Sequence, residues 1–236
     1  MIQYLFNRSI HPRISMLFIS LIAIPMIIGI WAQCKVSSTY KKYSQTQSRS
    51  RISGKETAEI MLRQSGVYGI EIVPQKGTLC DHYDPTQKRL VLSDSNFYGS
   101  SLAAIGIAAH EAGHAIQDKV GYSALNLRMS LIPITNSACK ILPFVIFGGF
   151  LFHMTGLIYL GILIYLILTV FQLVTLPVEF DASARAKNSI MELGIIDRSE
   201  YSGVKKTLDA AALTYVAAFI AALGNLLYLV GIARDR

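Results

Sequence analysis

Hydrophobic positions along the chain gather in long uncharged stretches that alternate with two polar segments. Ser15–Ala32, Met154–Val178 and Ala210–Ala233 hold 18, 25 and 24 residues without a charge. Because about 20 apolar residues in a helix cross the hydrocarbon core of a bilayer, each stretch predicts a transmembrane helix. Leu131–His153 predicts a fourth one, although Lys140 interrupts it.

Composition agrees with this pattern. The chain of 236 residues is 52% hydrophobic, and its mean hydropathy is +0.42, which is high for a soluble domain. The predicted fold class is therefore a mainly α membrane protein with about four transmembrane helices and a small α+β cytoplasmic portion. Residues 1–33 are expected to form a signal anchor, because Trp31 and Lys35 stand where a small-residue cleavage site would follow.

Lysine and arginine residues indicate the orientation in the membrane. Of the 22, twelve lie between Lys35 and Arg128 and five between Arg185 and Lys206. Since basic residues near transmembrane ends favour the cytoplasm, both polar segments are expected there, in the inner or plasma membrane of a bacterium. This flanking role explains the net charge of +7. No basic stripe interleaved with aromatic residues indicates a nucleic-acid partner.

Local patterns in the first polar segment predict short elements. Thr57–Gln64 is predicted as a helix, Val67–Val73 and Arg89–Leu92 as strands, and 74–77 and 81–85 as a turn and a loop. Ser100 or Ser101 is expected to cap a further helix that runs to about Lys119 and is almost wholly apolar before His110.

His110, Glu111 and His114 lie on that last helix with the spacing H-E-x-x-H. Residues four apart share a helix face, so both imidazoles can bind one metal ion while the carboxylate reaches past it to a bound water. The alternative is a pair of surface histidines on an amphipathic helix. A buried helix would leave these polar groups in need of partners, which favours the metal.

Glu179 is the candidate third ligand, because catalytic zinc usually has three protein ligands and an open water position. It directly follows the long apolar stretch; the alternative is an ordinary acid near a helix start opened by Pro177. If Leu131–His153 and Met154–Val178 both cross the bilayer, Glu179 returns to the side of His110. A single crossing would separate the two residues.

Four separated blocks resemble the YugP-like membrane zinc metallopeptidases, in the family's order and over nearly the whole chain. They are LCDHYDP at 79–85, AAHEAGHAIQ at 108–117, LPVEFDAS at 176–183, and Lys205-Lys206 with AAALTY at 210–215. The resemblance implies a gluzincin-type endopeptidase that binds one Zn²⁺ per chain. It further implies His110, His114 and Glu179 as the ligands and Glu111 as the general base.

The wider HtpX and CAAX-protease group is similar around the third ligand but has an acid where this chain has Ser183. The partner that orients a ligand histidine is therefore left open. Asp181 is two positions from Glu179, roughly on the opposite helix face, and is a poor substitute.

The segments are accordingly assigned as a zincin-like region at 34–129, a transmembrane hairpin at 130–178, a third-ligand helix with a cytoplasmic segment at 179–209, and a last transmembrane helix at 210–236.

The predicted reaction is hydrolysis of peptide bonds in membrane or membrane-proximal proteins, through a zinc-activated water with Glu111 as base. Arg89–Leu92 is expected to bind the substrate backbone by strand addition. The oxyanion needs a further donor, and four candidates stay open: Tyr215, Arg185, Arg128 and Tyr83.

Two other classes of function are weighed. A catalytically silent membrane scaffold could retain the zinc site, but the intact Glu111 argues against it. A small-solute carrier would place paired charged groups inside its spans, where this chain has only the isolated Lys140 and Asn225. Cys80 is expected to be a plain thiol and His82 a residue that orders its loop. The oligomeric state is left open.

Overall fold

A computed structural model describes Met16 and residues 18–234. The helices of this part are α1 (Ile19–Ser44, π-helical over Ile19–Ala23), α2 (Gly54–Gln64), α3 (Asp94–Phe97), α4 (Leu102–Lys119), α5 (Ser123–Leu151), α6 (Thr155–Glu192) and α7 (Tyr201–Arg234). The strands are β1 (Glu71–Gln75), β2 (His82–Asp84) and β3 (Arg89–Ser93).

Four of these helices, α1, α5, α6 and α7, are long and apolar enough to cross a membrane. Even α1, with 26 residues, is about 39 Å long, against a hydrocarbon core of about 30 Å. The protein is thus a mainly α membrane protein with a small α+β part, as predicted. The first predicted stretch starts outside the described residues, at Ser15.

The doubtful fourth stretch, Leu131–His153, lies almost entirely within one helix of 29 residues, α5. Its two prolines, Pro133 and Pro143, are inside that helix. A transmembrane helix tolerates proline in its interior, and α5 continues through both of these prolines.

Helix α6 extends well beyond the apolar stretch that predicted it. It runs through Val178 to Glu192, with Pro177 in its interior. Pro177 therefore does not open a new helix, and Glu179 is carried by the continuation of a membrane-length helix. The helix ends before Gly194, whose φ of 63° is a conformation that glycine adopts at little cost.

The chain divides into two compact units, each with its own core. The membrane unit comprises the described residues up to Ala32, 130–174 and 215–234, and contains a buried cluster of Ala138, Val145 and Ile164. The polar unit comprises 33–129 and 175–214, and its core includes Met61, Leu90, Leu92, Ile105 and Ile190. The segment after residue 174 thus belongs to the same unit as helix α4.

A three-stranded sheet in the order β1-β3-β2 forms part of the polar unit. The predicted strand at Arg89–Leu92 is confirmed as β3, whose Leu90 and Leu92 are fully buried. This strand pairs parallel with β1 and antiparallel with β2. Because both of its edges are occupied, the expectation that Arg89–Leu92 binds a substrate by strand addition is wrong.

Two local predictions next to β3 are also wrong. The predicted strand Val67–Val73 begins only at Glu71, because Gly69 has a φ of 76° and breaks the extended run, and it continues through Pro74 to Gln75. Proline is compatible with strand β1 because β1 lies at the sheet edge. Residues 82–84, predicted as loop, form strand β2, since they pair with the buried β3.

Side-chain caps fix the starts of the two helices packed beside the sheet. Ser53 and Glu56 form a capping box at α2, which begins three residues before the predicted Thr57. Ser101 is the cap of α4, and its hydroxyl accepts a hydrogen bond from the Ala104 amide at 3.1 Å. The buried, mostly small residues of α4 allow close packing against α2 and the sheet.

Helices α4 and α6 lie close together at Gly113. A methyl group added at this position would lie 2.7 Å from the carbonyl oxygen and 3.2 Å from the Cα of Ala182. Both neighbours are backbone atoms, so relief would require the helices to separate. The missing side chain therefore sets the distance between α4 and the part of α6 that carries Glu179.

We expect Gly113→Ala to lower the free energy of unfolding by about 1–3 kcal/mol, the usual cost of overpacking. Thermal unfolding of the detergent-solubilised protein would measure it. Gly29→Ala is the matched control, because position 29 is also helical but has nothing within 4 Å of the added methyl group. Equal melting temperatures of the two variants would contradict the packing argument.

Candidate metal centre

Helix α4 presents His110 and His114 on one face. Their rings meet edge to face with centroids 4.7 Å apart, as expected for residues four apart in a helix. Glu111 is only 8% exposed, and among the described residues no hydrogen bond engages its carboxylate. The helix thus supplies two imidazoles and one unpaired carboxylate within a single turn.

Glu179 of α6 meets these two rings. Its Oε2 lies 3.1 Å from Nε2 of His110 and 3.6 Å from Nε2 of His114. The side chain is nearly inaccessible, with a residue exposure of 2%. Residues 69 and 65 positions apart in the sequence are therefore joined by the packing of α6 on α4.

The donor set fits a zinc ion. Ligand atoms at 2.0–2.1 Å from a tetrahedral ion are about 3.3 Å apart, and the distances of Glu179 Oε2 to the two imidazole nitrogens, 3.1 and 3.6 Å, lie on either side of this value. The three ligand atoms lie within 4.8 Å of one another. Three protein ligands leave one tetrahedral position for water or substrate, which is the pattern of a catalytic rather than a structural zinc site.

Both histidines are oriented through their other ring nitrogen. Nδ1 of His110 lies 3.1 Å from the Ser183 hydroxyl, and Nδ1 of His114 lies 2.9 Å from the amide oxygen of Gln117. Each ring can therefore donate from Nδ1 and keep the lone pair of Nε2 for a metal. Ser183 is thus the partner that orients the ring of His110.

Gln117 was not singled out by sequence reasoning, yet it links both helices of the centre. Its side chain is completely buried, and its amide nitrogen donates to the carbonyl of Val178 and to Asp181, each at 2.8 Å. Asp181 does not replace the missing acid directly, but it acts on His114 through Gln117. The available signal was the i, i+3 spacing from His114, which places Gln117 on the same face.

Arg128 of α5 binds the remaining oxygen of Glu179. One guanidinium nitrogen donates to Oε1 at 2.8 Å, while Arg128 Nε is buried without a hydrogen-bond partner among the described residues. This charge-assisted bond fixes the carboxylate so that Oε2 alone faces the histidines.

The other proposed oxyanion donors have different surroundings. Arg185 pairs with Asp181 at 2.6 Å, and the Tyr83 phenol donates to Asp118 at 2.6 Å. Burial and this hydrogen bond raise the pKa of Tyr83, so the phenol keeps its proton. Tyr215 belongs to the membrane unit, and its role stays a prediction.

Burial dominates the electrostatics of Glu111 and raises its pKa, although the neighbouring His110 and His114 act in the opposite direction. A carboxylate that is removed from water and not hydrogen-bonded is a stronger proton acceptor than an exposed one. This property suits a group that takes up a proton and then releases it.

Cys80 and His82, which also carry potential ligand atoms, lie outside the cluster formed by His110, His114 and Glu179. His82 is exposed, and its Nδ1 lies 2.8 Å from the carbonyl oxygen of Cys80, in agreement with an ordering role. Cys80 is a free thiol. The neighbouring Asp81 accepts hydrogen bonds from Ser93 and Asn96, so it orders the end of β3.

Four membrane-length helices and a His-His-Glu cluster are features of membrane zinc peptidases, and comparison with known proteins agrees with this class. The profile of a family described as "Putative neutral zinc metallopeptidase" matches residues 18–234. The chain is also 46% identical over 212 residues to the "Putative membrane protease YugP" of Bacillus subtilis (strain 168), which covers 90% of this chain and 94% of that protein. The chain belongs to this YugP-like zinc metallopeptidase family, which confirms the resemblance. No solved structure matches it.

We expect Ser183→Ala to weaken zinc binding about 10- to 100-fold, because the ring of His110 loses the partner that orients it. Titration against a zinc-buffering chelator would measure the dissociation constant. Ser183→Asp restores an acceptor and should bind zinc at least as tightly as the unchanged protein.

Ser189→Ala is the matched control, because Ser189 lies six residues further along the same helix and away from both histidines. If Ser183→Ala and Ser189→Ala bound zinc equally well, Ser183 would have no orienting role.

Proposed function

We propose that the protein is a zinc-dependent endopeptidase that hydrolyses peptide bonds of membrane or membrane-proximal proteins. The observation that carries this proposal is the convergence of His110, His114 and Glu179, with the unpaired carboxylate of Glu111 on the same helix turn. All three ligands come from one chain, so one Zn²⁺ per chain needs no second copy.

A zinc ion held by these ligands would polarise the scissile carbonyl and lower the pKa of a water molecule toward neutrality. Glu111 accepts the proton of the attacking water and returns it to the leaving amine. Ser183 and Gln117 keep the two imidazoles in the required tautomer, and Arg128 holds Glu179 by one oxygen. The apolar residues of α4 before His110 exclude water from the inner side of the centre.

Among the four oxyanion candidates, Arg128 is favoured for a position beside the reacting atoms, because its guanidinium binds the side chain of the candidate ligand Glu179. In the present geometry its guanidinium holds Glu179. We therefore assign Arg128 to positioning of the ligand and leave stabilisation of the oxyanion to a donor that the substrate-bound form brings close.

The site is proposed to face the cytoplasm of a bacterial cell, with the lipid bilayer as the immediate surrounding. The support is the distribution of basic residues, since 17 of the 22 lie in the two segments that form the polar unit, and such residues favour the cytoplasmic side. Substrates near the bilayer surface would reach the centre without crossing the membrane.

We expect Glu111→Gln to reduce proteolysis at least about 100-fold, since the amide cannot accept the proton, while zinc content stays at one ion per chain. Cleavage of an unfolded protein by the purified enzyme, with and without a chelator, would measure the first effect, and elemental analysis the second. Glu192→Gln, an exposed acid at the end of α6, should change neither.

Chelator-sensitive cleavage by Glu111→Gln at the unchanged rate would disprove the assigned base. If the protein without any substitution binds zinc but does not cleave the unfolded substrate, the alternative of a catalytically silent scaffold would be supported instead.

We expect Arg128→Gln to weaken zinc binding by about tenfold or more, because Glu179 loses its charge-assisted hydrogen bond. Zinc affinity and kcat are to be measured on the same preparation, with the exposed Arg198→Gln as control. A fall in kcat with unchanged zinc affinity would show that Arg128 acts on the oxyanion and not on the ligand.

A further inference from the structure

The Lys205-Lys206 block and the lysines of α1 have no part in the metal centre. Two helix faces in the polar unit nevertheless bring them together around a cavity of about 530 Å³. The α1 face consists of Lys35, Ser38, Thr39 and Lys42, and the α7 face of Lys206, Asp209, Ala210 and Leu213. Both sets follow the spacing i, i+3, i+4, i+7, which places each set on one side of its helix.

Direct packing holds the two faces in place. A methyl group added at Gly203 of α7 would lie 3.0 Å from the ring of Tyr43 of α1, so the ring rests against the helix backbone. Tyr43 also lines the cavity. The arrangement is therefore a built concavity between two helices and not a set of separate surface lysines.

The cavity carries an excess of positive charge. Its one acid, Asp209, is already neutralised by Lys187 at 3.1 Å and Lys205 at 2.6 Å. Within the described part of the chain, Lys35, Lys42 and Lys206 form no ion pair. Three ammonium groups thus remain for an anion, and Thr39 and Tyr43 also line the cavity.

The position of the cavity along the helices favours the membrane surface. Its residues lie in the second half of α1 and around the start of the uncharged run of α7, where basic and apolar sequence meet in each helix. The side chains of Ala210 and Leu213 add an apolar wall. Lysines that served orientation alone would not need to converge on one cavity.

We propose that this cavity binds a phosphate-bearing anion, either the headgroup of an anionic phospholipid or free phosphate. Ammonium groups bind phosphate as point charges, and basic pockets between membrane helices hold anionic headgroups. This site is separate from the metal centre and does not depend on the proposed peptidase activity.

The test uses the full chain, purified in a neutral detergent and titrated with phosphatidylglycerol in mixed micelles, with binding followed by calorimetry. Lys42→Gln with Lys206→Gln should weaken binding about 25-fold, because each lysine near an anionic surface contributes about a factor of five. Arg63→Gln with Lys76→Gln removes the same charge from exposed positions elsewhere in the polar unit and should change binding less than about twofold. The double variant with Lys42→Arg and Lys206→Arg keeps both positive charges and should retain the affinity for phosphatidylglycerol.

A second arm replaces the lipid by inorganic phosphate. Binding of phosphate alone with the same dependence on Lys42 and Lys206 identifies free phosphate as a sufficient ligand. Binding of phosphatidylglycerol without binding of phosphate identifies the lipid. The proposal is overturned if the two-lysine Gln variant, with an unchanged melting temperature, binds phosphatidylglycerol and phosphate as the unchanged protein does. The proposal is equally overturned if the control variant with Arg63→Gln and Lys76→Gln loses as much binding affinity as the two-lysine variant. The attraction would then come from the overall charge of the protein and not from this cavity.

Discussion

The close contact between helices α4 and α6 is the constraint on which the rest of this protein depends. It brings a buried carboxylate, Glu179, against two imidazoles and the guanidinium of Arg128. A buried charge without such partners is strongly destabilising, so the packing of the helices and the assembly of the centre require each other. Gly113 makes the contact possible, because it stands between the two histidines where the backbone of α6 passes.

The candidate metal centre orients its two histidines through different partners. Ser183 provides a neutral acceptor for Nδ1 of His110. A hydroxyl donates less electron density to the ring than a carboxylate does, so the imidazole is a weaker base and a weaker ligand. The negative charge of Asp181 instead reaches the other histidine through the amide of Gln117.

Sequence patterns predicted the long helices and the H-E-x-x-H helix well, because apolar runs and cap residues are local signals. Ser101 was one of two expected caps, and β3 was found from its buried apolar run. The edge strands were misplaced, because β1 contains a proline and β2 has only three residues, and both exist through their pairing with β3. Short edge strands carry little signal of their own, since their hydrogen-bond partners are distant in sequence.

By itself, the sequence determined that the chain spans a membrane and that His110, Glu111 and His114 share one helix turn, because bilayer thickness and helical periodicity act on consecutive residues. The resemblance of the chain to a peptidase family also followed from the sequence, through four short blocks of residues. Only the tertiary structure decided which atoms meet: Oε2 of Glu179 with both imidazoles, Ser183 with His110, Gln117 with Val178 and Asp181, and the lysines of α1 with those of α7. These contacts join residues that lie tens of positions apart or face each other across two helices, and they are set by how the helices pack, which no local pattern records.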